Sequence, residues 1–361
     1  MIIPTFNRSR YLAETLDSVL GQDFTDFTVL VSDNASDDDT AAVMARYEDP
    51  RVQYLRRSEN IGWLRNFNEA LAATRTRFVA VLNDDDLMAP GALTRAVAML
   101  ESHPRVGMVH AAHDSIGPDG TSLEVASSWT HGLTRDAVEP GRTFIWKSMK
   151  YYERVCPPSV VFRTEALPRT PYEPRDEPHA VSVLYLRIAL DWDIGYLAQS
   201  GVAWRVHGDQ ESSSMAYVAS DGAMARHTAT ILEMRDVRLR FIDEHAGRLS
   251  RVAGLRRRVS HYVDAELVGQ ARAEYVDGRR AVLRRLGAGV RTSPMILVRP
   301  EAWRLVVRTA VGPTGVRLYR SLRPRRTPVP VRGTTAPRSG VGPASVEYDE
   351  AGNGDHEPPT P

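Results

Sequence analysis

Phe78-Val79-Ala80-Val81-Leu82-Asn83-Asp84-Asp85-Asp86-Leu87-Met88-Ala89-Pro90 is the stretch around which the chain is organised. Five apolar residues rich in Val and Phe predict a buried strand. They run into three consecutive carboxylates and then a proline suited to start a helix. The acids therefore end a strand, at the edge where open α/β sheets bind their ligands. Adjacent carboxylates call for a cation or a raised pKa. A hard divalent metal carrying a phosphate-bearing substrate meets that demand. A solvated turn and helix cap is the plainer alternative, and the flanking sequence has to decide between them.

Upstream, the same strand-then-polar-loop pattern recurs. Met1-Ile2-Ile3 leads to Pro4-Thr5-Phe6-Asn7-Arg8, and Phe27 to Val31 leads to Asp33-Asn34-Ala35-Ser36-Asp37-Asp38-Asp39. Val52 to Leu55 leads to Asn60-Ile61-Gly62. Between these strands, Tyr11, Leu12, Leu16, Val19 and Leu20 recur at helical spacing after Ser9, which is placed to cap. Helices are also expected over 39–47, 64–73 and 90–102, and a strand over 106–111. Such alternation predicts an α/β fold, a doubly wound mostly parallel sheet flanked by helices. The opening strand is shorter than the roughly five or six residues usual in a sheet centre, so further strand residues are expected upstream of Met1.

The 361 residues, 42% hydrophobic and 25% charged, are those of a globular chain with ample core. The net charge of +1 hides a skew, since Arg235 to Arg332 holds 23 Arg against 8 Asp and Glu. A basic C-terminal third suggests an anionic surface as partner. The single Cys156 excludes an intramolecular disulfide, fits a reducing compartment and reads as a packed residue. Neither a run of 18 apolar residues nor a signal-peptide form occurs. A cytoplasmic location follows as the expectation, with room for peripheral contact at the inner face of the membrane.

Past the turn at Gly117-Pro118-Asp119-Gly120 the periodicity loosens. Trp129, Phe144, Trp146, Tyr151 and Tyr152 either line a pocket for a flat partner or cover the sheet. Short strands are expected at 159–162, 194–197 and 202–206, and helices over 184–190, 223–244 and 255–275. From Pro294, Arg residues interleave with Trp303, Val306, Val307, Leu318 and Tyr319. That segment suits either a membrane interface or docking on its own domain. The Pro- and Gly-rich residues 324–361 predict disorder.

Taken together, the loops after the first four strands, carrying Pro4-Thr5-Phe6-Asn7-Arg8, Asp33-Asn34-Ala35-Ser36, Asn60-Ile61-Gly62 with Asn66 and Asn68, and Asn83-Asp84-Asp85-Asp86, lie on one sheet edge. This succession resembles the family 2 glycosyltransferases, nucleotide-sugar-dependent inverting enzymes of the GT-A fold, over roughly residues 1–215. The resemblance implies that Pro4, Thr5, Asn7 and Asn60 belong to the nucleotide-sugar site and that Asp33 accepts a hydrogen bond from the base. It further implies that Asp85 holds Mg²⁺ or Mn²⁺ on the donor diphosphate, with Asp84 and Asp86 left to orient the ribose and the loop. Asn83 stands where the family pattern has its first acid, and it keeps a hydrogen-bonding group for the ribose. Trp204-Arg205-Val206-His207 with Ser212 and Ser213 resembles a second family segment, in which His207 supplies the metal or the diphosphate with a nitrogen.

A third comparison departs from the pattern. The family's general base begins the helix that here reads Ser182 to Ala189, and Val181 occupies its position. Glu177, one turn earlier with Pro178 at the first helical position, is the expected substitute, with Asp176 and His179 as rivals. The resulting expectation is a catalytic domain over 1–215, a basic helical region over 216–323 and a disordered tail over 324–361. Its activity is metal-assisted transfer of a hexosyl or deoxyhexosyl group from a nucleoside-diphosphate sugar to a hydroxyl of a glycan, lipid-linked glycan or metabolite. Membrane contact is expected through 294–323. A catalytically degenerate sugar-nucleotide-binding or scaffold protein is the alternative. A P-loop and a dinucleotide fingerprint are both missing, and the basic region lacks a nucleic-acid-binding motif.

Overall fold

The computed structural model describes residues 1–127, 133–150, 154–208 and 221–273, with scattered positions between 282 and 309. Met1–Gly312 forms one compact unit. Pro313–Pro361 is a second unit, outside the described residues, as are Trp129, Tyr151, Tyr152 and most of the basic segment from Pro294.

The N-terminal half alternates strand and helix as its pattern demands. In order come β1 (Ile2–Thr5), α1 (Ser9–Leu20), β2 (Val29–Asp33), α2 (Thr40–Met44), β3 (Val52–Arg56), α3 (Trp63–Ala73) and β4 (Phe78–Ala80). Next are β5 (Leu87–Met88), α4 (Ala92–Ser102) and β6 (Val106–Ile116). β1, β2 and β3 pair in parallel, and every residue of β1 is buried. β1 reaches β4 through the Ile2–Val81 bridge, with the Leu82 N–H donating to the Ile2 carbonyl at 3.0 Å. Although only four residues long, β1 thus lies between two neighbours. α1 covers it with Tyr11, Leu12, Leu16 and Val19, all buried.

The second half departs from plain alternation. β7 (Ser122–Ser127), β8 (Ala137–Glu139), α5 (Gly141–Ser148), β9 (Val161–Arg163), α6 (Ala180–Ile188) and β10 (Asp193–Arg205) follow. The parallel pairing of β6 with β10 is set among antiparallel partners, with β9 beside β4 and β6, and β10 beside β5 and β8. The two short strands expected at 194–197 and 202–206 are one 13-residue strand. Register shifts at Leu197/Ser200 and Ser200/Val202 absorb the polar interruption without ending the pairing with β6. The 3₁₀ turn Pro157–Ser159 replaces the start of the strand expected at 159–162.

Two helix starts also differ. Ser9 does not cap α1 with its side chain; its N–H donates instead to Asp38 Oδ2 at 2.9 Å, so the cap comes from the next loop. α4 begins at Ala92 rather than Pro90, after Gly91 at φ 70°. A Cβ there would meet the Arg95 guanidinium at 2.8 Å, so the turn into α4 suits glycine.

α7 (Asp221–Glu244) and α8 (Val252–Ala273) form the appended helical region. Phe241, Ile242, Leu255 and Val259 share a core with Leu184, Tyr185 and Phe144, so the helices close over α5 and α6. Phe144 and Trp146 belong to or pack against this core and therefore cover the sheet. Cys156 is buried among aliphatic side chains, as a packed residue is. Among the described residues no helix is long and apolar enough to cross a membrane.

Candidate active site

The four strand-end loops meet: hydrogen bonds tie the first to the second and the second to the third, and Thr5 and Phe6 of the first bond Asp84 of the fourth. Asn7, at φ 54°, accepts the Asp37 N–H at 2.9 Å through its side chain, and its own N–H donates to the Ser36 hydroxyl at 2.9 Å. The Asn34 amide donates to Asn60 Oδ1 at 2.7 Å and accepts the Ile61 N–H at 2.9 Å. Asn66 is buried and bonds Ser32 twice, at 2.7 and 2.9 Å, which anchors α3 under β2. Asn68 exchanges two bonds with the Tyr172 backbone, at 2.7 and 3.0 Å, which ties α3 to the segment leading into α6.

Between these loops opens a cavity of about 500 Å³. Pro4, Thr5, Arg8, Asn34, Asn83, Asp84 and Asp85 form its polar side, and Phe6, Trp63, Phe67, Pro178, Val181 and Trp204 its apolar side. Thr230 of α7 also lines it, so the helical region contributes to the wall. Asp33 is fully buried, and its carboxylate accepts the Ser36 N–H at 2.8 Å and the Tyr54 hydroxyl at 2.5 Å. Among the described residues, the aromatic side chains lining the cavity come from the loop after β1, α3 and β10 and not from the 121–158 stretch.

The acidic loop is buried as well. Burial, and next the charge of Asp85, pushes the Asp84 carboxyl up to about 7, opposed by the Thr5 hydroxyl, the Arg8 charge and the Phe6 N–H. Asp86 is raised well above the carboxylate range by the same two causes, although it accepts the Arg205 N–H at 2.8 Å and the Asn83 amide at 2.9 Å. The Thr15 hydroxyl of α1 donates to the Asp84 carbonyl at 3.0 Å.

His207 joins this loop because of strand register. Val202 and Ala203 of β10 face Met88 and Leu87 of β5, so the residues after β10 run back past Asp86 and Asp85. His207 Nε2 lies 3.0 Å from Asp85 Oδ2, and both side chains are buried. The Tyr11 ring lies against His207 at 5.0 Å. Asp85 and His207 together could hold a metal ion. Among the described residues no group of three or more His, Cys, Asp and Glu forms a complete protein cage. Buried Arg205 beneath this pair is a residue that motif reading quoted without a role.

The expected base region is arranged differently. α6 begins at Ala180, so Pro178 is not its first residue; Glu177 precedes a proline and is extended at ψ 143°. Glu177 is exposed and does not line the cavity. Asp176 is buried in an ion pair with Arg240 at 2.7 Å. His179 is buried, and burial together with the Arg238 charge pushes it down to about 4. Pro178 and Val181 present this segment to the cavity.

Residues 1–155 match the family model described as glycosyl transferase family 2. A Campylobacter jejuni GalNAc(5)-diNAcBac-PP-undecaprenol beta-1,3-glucosyltransferase is 38% identical over 97 residues, 26% of this chain and 31% of that protein. The Rhizobium meliloti succinoglycan biosynthesis protein ExoO is 31% identical over 128 residues, 35% of this chain and 36% of that protein. The chain thus spans about a third of the length of these relatives. The crystal structure of S. aureus TarS 1-349 aligns at a TM-score of 0.46 and 18% identity, covering 90% of this chain and 92% of that one. Its strand-end loops carry the residues that resemble the family's motifs, and the chain is similar to glycosyl transferase family 2 over residues 1–155.

Proposed function

We propose that the chain transfers a hexosyl or deoxyhexosyl group from a nucleoside-diphosphate sugar to a hydroxyl, by single displacement with inversion. The observation that carries this reading is the Asp85–His207 pair, 3.0 Å apart at the acidic end of a cavity bounded by the loop residues of the family motifs. Asn34 and Asn60, locked to each other, and Pro4 and Thr5 at the end of β1 border the nucleotide. Asn7 serves by holding the Ser36–Asp38 loop. Asp33 supports the base position while holding Ser36 and Tyr54. Asp85 and His207 hold Mg²⁺ or Mn²⁺, and Asn83 and Asp84 flank them. The metal supplies charge stabilisation for the departing diphosphate. Glu177, exposed beside Pro178 at the cavity rim, takes the acceptor proton on this reading.

The relatives named for an undecaprenol-linked glycan and for succinoglycan support a lipid-linked or polysaccharide acceptor. With such an acceptor, the basic segment 294–323 contacts the inner face of the membrane from the cytoplasmic side, beyond a catalytic region of 1–215. A second reading, a degenerate sugar-nucleotide-binding or scaffold protein, is favoured by Val181 lining the cavity where the family's base is expected.

A thermal-shift screen of UDP-, GDP- and dTDP-sugars with and without Mn²⁺, followed by transfer assays, separates these readings. The transferase reading expects one donor class to raise the melting temperature by mass action and to be consumed. Donor binding without turnover on any acceptor would establish the scaffold instead.

A further inference from the structure

We infer that Arg205 is the positioning residue of the acidic loop, fixing the Asp85 main chain so that Asp85 and His207 meet the donor's diphosphate as one rigid pair. The inference rests on the function proposed above and concerns how its site is held.

Arg205 is the last residue of β10, and its side chain is fully buried. Its Nε donates to the Asp85 carbonyl at 2.8 Å, and its backbone N–H takes Asp86 Oδ1 at 2.8 Å. One terminal nitrogen reaches the Pro118 and Gly117 carbonyls at 3.3 and 3.4 Å, and the other meets Glu14 Oε2 at 2.6 Å. The guanidinium carbon lies 4.7 Å from the centre of the Tyr11 ring, whose neighbour is His207. A single planar fork therefore binds α1, the acidic loop and the β6–β7 turn, while its own strand delivers His207 two residues later.

The fork geometry matters. A guanidinium presents five N–H donors in fixed directions, whereas a lysine ammonium presents three from one point and cannot span these acceptors. Asp85 is thereby held from behind through its main chain, leaving its carboxylate to the cavity and to His207. A shift of about 1 Å in such a group costs on the order of 10²-fold in rate.

The test uses the full chain with the donor found in the screen, comparing Arg205→Lys, Asp85→Asn and the double variant. Arg205→Lys is expected to lower kcat by about 10²-fold and to weaken Mn²⁺ binding measured by electron paramagnetic resonance, while the affinity for the nucleoside monophosphate stays at the wild-type value. Because Arg205 acts through Asp85, the double variant should be no slower than Asp85→Asn alone. Wild-type kcat and Mn²⁺ affinity in Arg205→Lys, additive losses in the double variant, or a loss that follows the folded fraction each overturn the inference. Should Arg205→Lys not fold, Glu14→Gln decides: its side chain is 57% exposed, so the fold tolerates the change. A several-fold fall in kcat at constant monophosphate affinity supports the inference, and an unchanged kcat overturns it. A wild type that binds neither Mn²⁺ nor any donor removes the proposed function and this inference together. An active wild type beside an equally active Arg205→Lys removes this inference alone.

Discussion

The two ends of the cavity are built on opposite principles. At the acidic end, Asn83 to Asp86 are held by bonds from α1 and β10, and their carboxylates are crowded into a buried loop. At the α6 end, Asp176 is spent on Arg240, His179 is buried and discharged, Glu177 is in solvent, and Pro178 and Val181 face the ligand space. The first end accepts electrostatic cost to crowd carboxylates beside the cavity. The second offers shape, with the Glu177 carboxylate in solvent beside it. A pre-organised site tolerates little change at its charged end and more at the other.

Replacing Asp85 with Asn should produce the largest effect, lowering transfer on the order of 10³-fold with no loss of melting temperature, as steady-state kinetics and a thermal scan would show. A variant within tenfold of wild type would erase the contrast between the two ends. Glu177→Gln comes next: as the exposed proton acceptor it should lower kcat about 10²-fold at unchanged melting temperature. If Glu177→Gln is fully active, the α6 end contributes shape alone.

Asp176→Asn sharpens the comparison through stability. It loses a buried-to-half-exposed ion pair with Arg240, at a cost of about 1–2 kcal/mol in urea unfolding, with kcat unchanged in the folded fraction. A specific loss of kcat would move Asp176 into the chemistry.

Asp84 tests the other end by pH. Its folded pKa of about 7 stands above the unfolded value of 3.8, so the folded state binds the proton more tightly. Its stabilising contribution is complete below the unfolded value and fades as pH rises towards the folded one, at up to about 1.4 kcal/mol per pH unit. Metal-free Asp84→Asn should therefore gain stability over wild type as pH rises from 4 towards 7, measured by denaturant melts at each pH. Parallel wild-type and variant profiles would show that the acidic loop carries no such cost.

Much of this site was legible because the evidence is local. A run such as Phe78 to Leu82 followed by acids identifies a strand and its loop, and repetition of that unit places the loops of Pro4, Asn34, Asn60 and Asp84 on one edge. The base region was less legible because Val181 and Glu177 are judged by phase along a helix. The residue before Pro178 is held out of that helix, so the expected phase did not apply. The sequence of β10 suggests two strands because Gln199-Ser200-Gly201 breaks the apolar pattern, whereas its backbone continues to bond β6 through register shifts.

Sequence by itself determined the parallel N-terminal α/β unit and the convergence of its loops, since alternation and short motifs are properties of neighbouring residues. Only the tertiary structure decided that β5 pairs with β10, that His207 thereby reaches Asp85, and that Arg205 is buried. Each depends on acceptors drawn from segments distant along the chain, Glu14, Asp85 and Gly117 among them. A buried guanidinium is tolerated only where folding gathers such acceptors around it.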